Sequence, residues 1–330
     1  MISTAMLNRR ALISAMKKVL VTGGSGLLGS NCIHMLKTDC RVTGIYNRHP
    51  VSIKGAEMIQ ADLTDKDRTT GLVASLRPDI IIHCAAITDV DLCERESEKA
   101  WQVNVKCPAL LAALAMEQGT SFVHISSDAV YGKGDGNATE QDETMAVNAY
   151  ARTKIEAERE VLRNNPDALI LRSAIYGWNM RNRYSFGEAI LRALIFNRSI
   201  TLFHDVFFTP ILVNDLVEII MELSDRKARG IFNAGAVDSP SKLDFGRMLA
   251  GIFGFSGENI VPVSLMEKNL AAERPKRPTM NVDKITSFLG RKMPSTENGL
   301  QRFRQLLLSG YVARMKPGAT SVDELKRVWQ

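Results

Sequence analysis

Two short stretches of the chain hold side chains suited to moving a proton. One is Ser126-Ser127-Asp128; the other is Tyr150-Ala151-Arg152-Thr153-Lys154. A spacing of four on a helix places phenol and ammonium on one face. A free tyrosine ionises near about pH 10, too high for easy exchange at neutral pH. A neighbouring ammonium, together with an oxidised nicotinamide, would favour the phenolate and lower that value. Ser127 is placed to hydrogen-bond the same substrate oxygen. Ser127, Tyr150 and Lys154 are therefore the expected catalytic set, for proton transfer at a carbonyl or alcohol oxygen. Asp128, next in sequence, is expected to tune the site or to cap the following loop.

A third stretch suits an anion. Thr22-Gly23-Gly24-Ser25-Gly26-Leu27-Leu28-Gly29 lies between a β-rich run and a helical one, the setting that a dinucleotide fingerprint requires. Glycines there permit a tight turn and close approach of backbone to pyrophosphate, and a helix N-terminus offers free N–H groups. Gly23, Ser25, Gly26, Leu27, Leu28 and Gly29 are the expected phosphate cradle. The segment Tyr46-Asn47-Arg48-His49, with Arg48 nineteen residues past Gly29, carries no carboxylate where an NAD site would place one for the ribose 2′-OH. A guanidinium suits a phosphate instead. Asn47 and Arg48 thus predict NADP(H) as preferred cofactor, with NAD(H) possible.

These groups need a scaffold, and the pattern supplies one. Val19–Val21, Arg41–Ile45, Asp79–Cys84, Ser121–Ile125 and Leu169–Leu171 read as strands; Leu27–Leu36, Ala100–Gln118 and Tyr150–Arg163 read as helices between them. Ile80-Ile81-Ile82 is the continuous apolar run of a parallel strand covered on both faces. Such alternation predicts an α/β, Rossmann-like doubly wound parallel sheet. Ligands bind at the C-terminal ends of its strands, and Ser126-Ser127 follows one. After Arg172 the regularity weakens. The expected organisation is an N-terminal extension over 1–16, disordered; a dinucleotide-binding domain over 17–172 with parts of 203–235; and a smaller substrate-binding lobe from 173–202 and 236–330.

Composition narrows the classes. The 330 residues are 45% hydrophobic and 24% charged, which argues against disorder and coiled coil. The longest apolar run, the 8 residues Ala109–Met116, falls far short of the ~18 of a membrane span, so no membrane partner is expected. Residues 273–330 carry 12 Lys/Arg against 5 Asp/Glu, and the other 272 carry 30 against 31. The basic excess thus sits in the final segment, where Arg274 and Arg277 are candidates for a substrate diphosphate. No nucleic-acid motif accompanies it. Five cysteines without C-x-x-C pairing, and no paired histidines, predict neither disulfide framework nor metal site, in a cytoplasmic protein.

In their order, the glycine turn, the Ser-Ser after a later strand and the Y-x-x-x-K resemble the extended short-chain dehydrogenase/reductase family over about residues 17–290. Ala61-Asp62-Leu63-Thr64, His83-Cys84-Ala85-Ala86, Asn104, Val130-Tyr131-Gly132 and Leu171-Arg172-Ser173-Ala174-Ile175-Tyr176-Gly177 match further family segments. His83, Cys84 and Ser173 depart from the usual residues there. Within the family, Asp128, Arg77-Pro78-Asp79, Arg274-Pro275 and Asn281–Lys284 resemble the dTDP-4-dehydrorhamnose reductases; Val130-Tyr131-Gly132 is nearer the epimerases. The tail after about Tyr311 matches neither. The resemblance implies that Asp62, Leu63, Cys84, Ala85, Ala86 and Ser173 contact the cofactor along with Tyr150 and Lys154. On the substrate side stand Thr88, Ser127, Asp128 and Trp178 of the loop after the sixth strand. It further implies a homodimer that reduces a nucleotide-diphosphate 4-keto-sugar with NADPH. The rivals are an NAD-dependent nucleotide-sugar epimerase or dehydratase, and a non-catalytic regulatory subunit of the methionine adenosyltransferase type.

Overall fold

The computed structural model describes residues 16–181 and 183–330; the extension expected over 1–16 lies outside them except for Met16. Strands β1 (Lys18–Thr22), β2 (Arg41–Tyr46), β3 (Glu57–Gln60), β4 (Ile80–His83), β5 (Ser121–Ile125) and β6 (Leu169–Arg172) follow one another. Beyond them come β7 (Ala174–Tyr176), β8 (Ile200–Phe203), β9 (Pro210–Leu212), β10 (Gly230–Asn233) and β11 (Ile260–Val263). β10 returns to the main sheet, whose order is β10-β6-β5-β4-β1-β2-β3, with every pair parallel. β7 pairs with β9, and β8 with β11. The order reverses between β1 and β4, the switch point where such sheets open a crevice at their carboxyl ends.

The helices are α1 (Leu27–Leu36), α2 (Lys66–Leu76), α3 (Val90–Arg95), α4 (Ser97–Trp101), α5 (Cys107–Gln118), α6 (Ala149–Asn164), α7 (Phe186–Ile195), α8 (Val213–Asp225), α9 (Lys242–Phe253), α10 (Asp283–Leu289), α11 (Thr296–Leu308) and α12 (Val322–Val328). Two apolar layers sandwich the sheet. Ile80 and Ile82 face α1, α8 and α10 through Ile33, Leu216 and Ile285; Ile81 faces the other way, to Val73, Leu111 and Val161 of α2, α5 and α6. That alternation across a strand explains why all three isoleucines are buried. A third core, which includes Trp178, Phe245, Phe303 and Leu325, gathers residues outside the main sheet and marks the second region of the molecule.

The single helix expected over Ala100–Gln118 is two, α4 and α5, joined by a π-helical turn at Gln102–Lys106. π turns widen the backbone ladder and recur beside functional sites. This one carries Asn104, whose amide accepts from the Ile87 N–H at 2.8 Å and donates to the Ile87 carbonyl and to Thr153 Oγ1, both at 3.0 Å. The turn thereby latches the chain after β4 onto the helix that bears Tyr150.

Candidate active site

The glycine turn is built for a phosphate. Gly26 caps α1 in an extended conformation with no side-chain hydrogen bond, so the first-turn N–H groups of α1 are left facing the crevice. A Cβ on Gly29 would lie 2.2 Å from the Gly23 carbonyl oxygen, and one on Gly23, at φ +65°, would lie 2.8 Å from Ala85 N. Both positions demand glycine. Thr22 Oγ1 accepts from Ala85 N at 3.2 Å and shares a 2.8 Å hydrogen bond with His83 Nδ1, tying β1 to the Cys84-Ala85-Ala86 turn. Burial pulls His83 down to about 3, so its ring is neutral. At the ends of β2 and β3, Asn47 and Arg48 are exposed beside Asp62. The Asp62 carboxyl is held below its ordinary value by the Thr64 backbone and hydroxyl donors, with Asn47 and Arg48 adding to the effect. Leu63 is buried behind it. The cradle fits a dinucleotide: no side chain fills the turn, and the polar groups lie at the far strand ends.

A cavity of about 410 Å³ opens from the cradle, lined by Gly26, Leu27, Leu28 and Gly29 on one side and by Ser127, Asp128, Tyr150 and Lys154 on the other. Cys84, Ala86, Thr88 and Ser173 also reach it. Ser25 is buried in the turn, and neither it nor Ala85 reaches this cavity. Ser127 Oγ accepts from Ala129 N at 3.2 Å and donates to Asp128 Oδ1 at 3.0 Å. Asn148 caps α6 by accepting from Ala151 N at 2.8 Å, fixing the start of the helix two residues before Tyr150.

The electrostatics of the pair differ from expectation. Burial raises Tyr150 to about 12, against a lowering hydrogen bond from Ser127. Lys154 Nζ donates to the Ile125 carbonyl at 2.7 Å. Burial lowers Lys154 to about 8, with Glu158 pulling the other way. Glu158 is itself paired with Arg172 at 2.6 Å beneath the site. Asp128 is raised by burial and lowered by Lys242. The Lys242 ammonium sits 3.2 Å from the Phe208 ring centre and 4.5 Å from that of Phe186, and burial brings it to about 8.

At the substrate end three expectations are corrected. Trp178 does not line the cavity: it is 0% exposed, stacked on Phe303 with ring centres 4.1 Å apart, and donates its Nε1–H to the Phe303 carbonyl at 2.9 Å. Arg274 is neutralised by Asp91 at 3.0 Å and donates to the Ala272 carbonyl. Arg277 lies over the Phe207 ring at 4.4 Å. Neither arginine lines the cavity. The guanidinium-bearing residues that do are Arg181 and Arg183, with Asn179, Tyr184 and Ser185 of the same loop. Burial and then the charge of Arg183 lower Arg181; among the described residues neither makes an ion pair. Two arginines one residue apart, just after the L-R-x-x-x-x-G segment, were the signal in the sequence.

The chain is similar to known proteins over most of its length. The family model described as the RmlD substrate binding domain matches residues 16–308. A probable low-salt glycan biosynthesis reductase, Agl14, of Haloferax volcanii is 32% identical over 285 residues, covering 85% of this chain and 95% of its own. The methionine adenosyltransferase 2 subunit beta of Danio rerio is 30% identical over 291 residues, covering 85% and 87%. Among solved structures, a dTDP-4-dehydrorhamnose reductase of Bacillus anthracis in complex with NADP matches with a TM-score of 0.77 at 27% identity, over 87% of this chain and 98% of that one.

Proposed function

Because the chain belongs to the RmlD substrate binding domain family, within the extended short-chain dehydrogenases and reductases, we propose that it is an NADPH-dependent reductase of a nucleotide-activated 4-keto-sugar. One observation carries this reading: the phosphate cradle Gly26–Gly29 and the set Ser127, Tyr150 and Lys154 open into a single cavity. The bound nicotinamide supplies the hydride that reduces the carbonyl carbon. Tyr150, raised to about 12, remains protonated at neutral pH and is the acid that delivers a proton to the carbonyl oxygen, leaving a hydroxyl. Ser127, already oriented through Asp128, turns its donor to that oxygen. Lys154, anchored at the Ile125 carbonyl, keeps two N–H groups for ribose hydroxyls. Arg48 takes the 2′-phosphate that distinguishes NADPH from NADH.

The substrate diphosphate belongs at Arg181 and Arg183, the guanidinium-bearing residues on the cavity wall. Bidentate arginine–phosphate pairing supplies both affinity and orientation there. An Arg181→Ala variant should bind a nucleoside diphosphate about tenfold more weakly, the worth of one hydrogen bond to a charged group, as read by calorimetry. Unchanged affinity removes Arg181 from the diphosphate site.

The reading is tested by mixing the full chain with NADPH and dTDP- or UDP-linked 4-keto-6-deoxy sugars, then following loss of reduced nicotinamide and formation of the sugar alcohol. One alcohol per NADPH consumed is the expected result. Copurified NAD and an inverted sugar with no net oxidation would identify an epimerase instead. A second reading has the Danio rerio relative in its favour, since that protein is named as a subunit of methionine adenosyltransferase. NADPH binding without turnover of any keto-sugar would favour a non-catalytic role of that kind.

A further inference from the structure

The family match ends at residue 308, yet residues 309–330 are folded tightly onto the second region. Val312, Met315, Ala319, Leu325 and Trp329 are all buried in its core. The polar contacts of this tail converge on the cavity from behind. Tyr311 Oη donates to Asn31 Oδ1 at 2.8 Å; Asn31 Nδ2 donates to the Trp178 carbonyl at 2.9 Å and to the Leu27 carbonyl at 2.8 Å. One side chain of α1, the helix bearing the phosphate cradle, thus joins the tail to the start of the Arg181–Arg183 loop. Trp329 packs edge-on against Tyr184, 5.4 Å between ring centres.

Lys316 makes the decisive contact. Its ammonium donates to the Arg181 carbonyl at 3.3 Å and lies 3.5 Å from Glu188 Oε1, with the two side chains 4% and 0% exposed. Glu188 Oε2 accepts from Ser185 N at 2.9 Å, and Ser185 Oγ donates to the Gly177 carbonyl at 2.5 Å. The loop is therefore pinned at its neck by Ser185 and at its tip by Lys316. A buried ion pair is a poor source of net stability, because desolvating two charges offsets their attraction; its better-attested use is to specify one arrangement. Here the arrangement specified is that of two mutually repelling arginines on the cavity wall.

We infer that the tail 309–330 is a clasp, with Lys316 as its positioning residue, that holds the Arg181–Arg183 loop ready for the diphosphate of a sugar nucleotide. The ligand class rests on the reading proposed above; the clasp itself does not. Pre-ordering a loop raises affinity by removing the cost of ordering it on binding.

The test uses the full chain with Lys316→Met, the charge-retaining Lys316→Arg, and Tyr311→Phe, which deletes a single hydroxyl should Lys316→Met fold poorly. Two measurements are made on each: hydrogen exchange of the backbone over 178–185, and calorimetric affinity for dTDP and, separately, for NADPH. Lys316→Met should speed exchange in that segment and weaken dTDP about tenfold, while NADPH changes less than about twofold and Lys316→Arg restores most of the loss. Tyr311→Phe should shift both readouts the same way by less. Unchanged exchange over 178–185, or equal weakening of dTDP and NADPH, overturns the clasp. If the unaltered chain binds no nucleoside diphosphate, the substrate reading falls, and the exchange measurement alone still decides the clasp.

Discussion

The two walls of the cavity are made by different means. On the dinucleotide side the site is mostly backbone: free N–H groups at the start of α1, a turn whose Gly23 and Gly29 admit no Cβ, and strand ends held in register by the sheet. On the side proposed for substrate it is side chains on one loop, Arg181, Arg183 and Tyr184 among them, held in part by contacts from residues more than a hundred positions away. A wall of backbone is intolerant, because each position is fixed by atoms that cannot move. A wall of loop side chains is adjustable, because each group can change without disturbing the sheet. Substitutions should therefore be severe and cofactor-specific on the first wall, milder and substrate-specific on the second.

The largest effect is expected where the walls meet. Tyr150→Phe keeps the ring and removes only the proton donor, so turnover should fall by roughly 10²–10⁴-fold while NADPH affinity stays close to that of the unaltered chain. Steady-state kinetics beside a direct NADPH titration reads both. Near-normal turnover would remove Tyr150 as the acid and with it the distinction between chemistry and binding at this point.

Gly29→Ala comes next. Its methyl group would sit 2.2 Å from the Gly23 carbonyl oxygen, so the turn must open. Overpacking of this kind costs about 1–3 kcal/mol of fold stability, and the displaced turn should bind NADPH more weakly, with dTDP binding at the other wall unaffected. Equal loss of both ligands would mean that the walls are not independent.

The same contrast governs what was legible in the sequence. Glycine spacing, buried strands such as Ile80–Ile82, and the Tyr150–Lys154 interval are local patterns, and local patterns can be read. β3, with the sequence Glu-Met-Ile-Gln, has no alternation to mark it and was missed at the sheet edge. Trp178 was misplaced because its surroundings come from Phe303 and Trp329, far along the chain. Arg274 looked free because Asp91, which neutralises it, is 183 positions away. The raised phenol of Tyr150 has the same origin: four-residue spacing set the two side chains on one face, but burial, which is tertiary, shifted both of them.

Arg48→Asp sharpens the comparison within the first wall, at a position that is side chain rather than backbone. Arg48 is exposed, so its replacement should leave the fold intact and raise the Michaelis constant for NADPH by about tenfold, the worth of a hydrogen bond to a charged group, with little change for NADH. An unaltered NADPH-to-NADH preference would show that Arg48 does not read the 2′-phosphate.

The smallest effect is one of pH. Burial lowers Lys154 to about 8 and the Glu158 carboxylate opposes that fall, so the ammonium is present below about pH 8 and lost above it. If ribose orientation needs the charged form, kcat/KM should be level in the neutral range and decline above about pH 8, roughly tenfold per unit. Tyr150, raised to about 12, contributes no limb there. Unfolding is not what Lys154 would cause in this window. A lysine lowered in the folded state binds fewer protons folded than unfolded between the two values, so its contribution to stability grows as pH rises from about 8 toward 10.5. Glu158→Gln removes the main opposing charge and should move the limb to lower pH by less than about one unit. Melting temperature is followed in parallel, because Glu158 also pairs with Arg172. A limb that stays in place in a variant that still folds would mean that some group other than Lys154 sets it, and that the substrate oxygen's surroundings, not the cofactor's, govern the pH response.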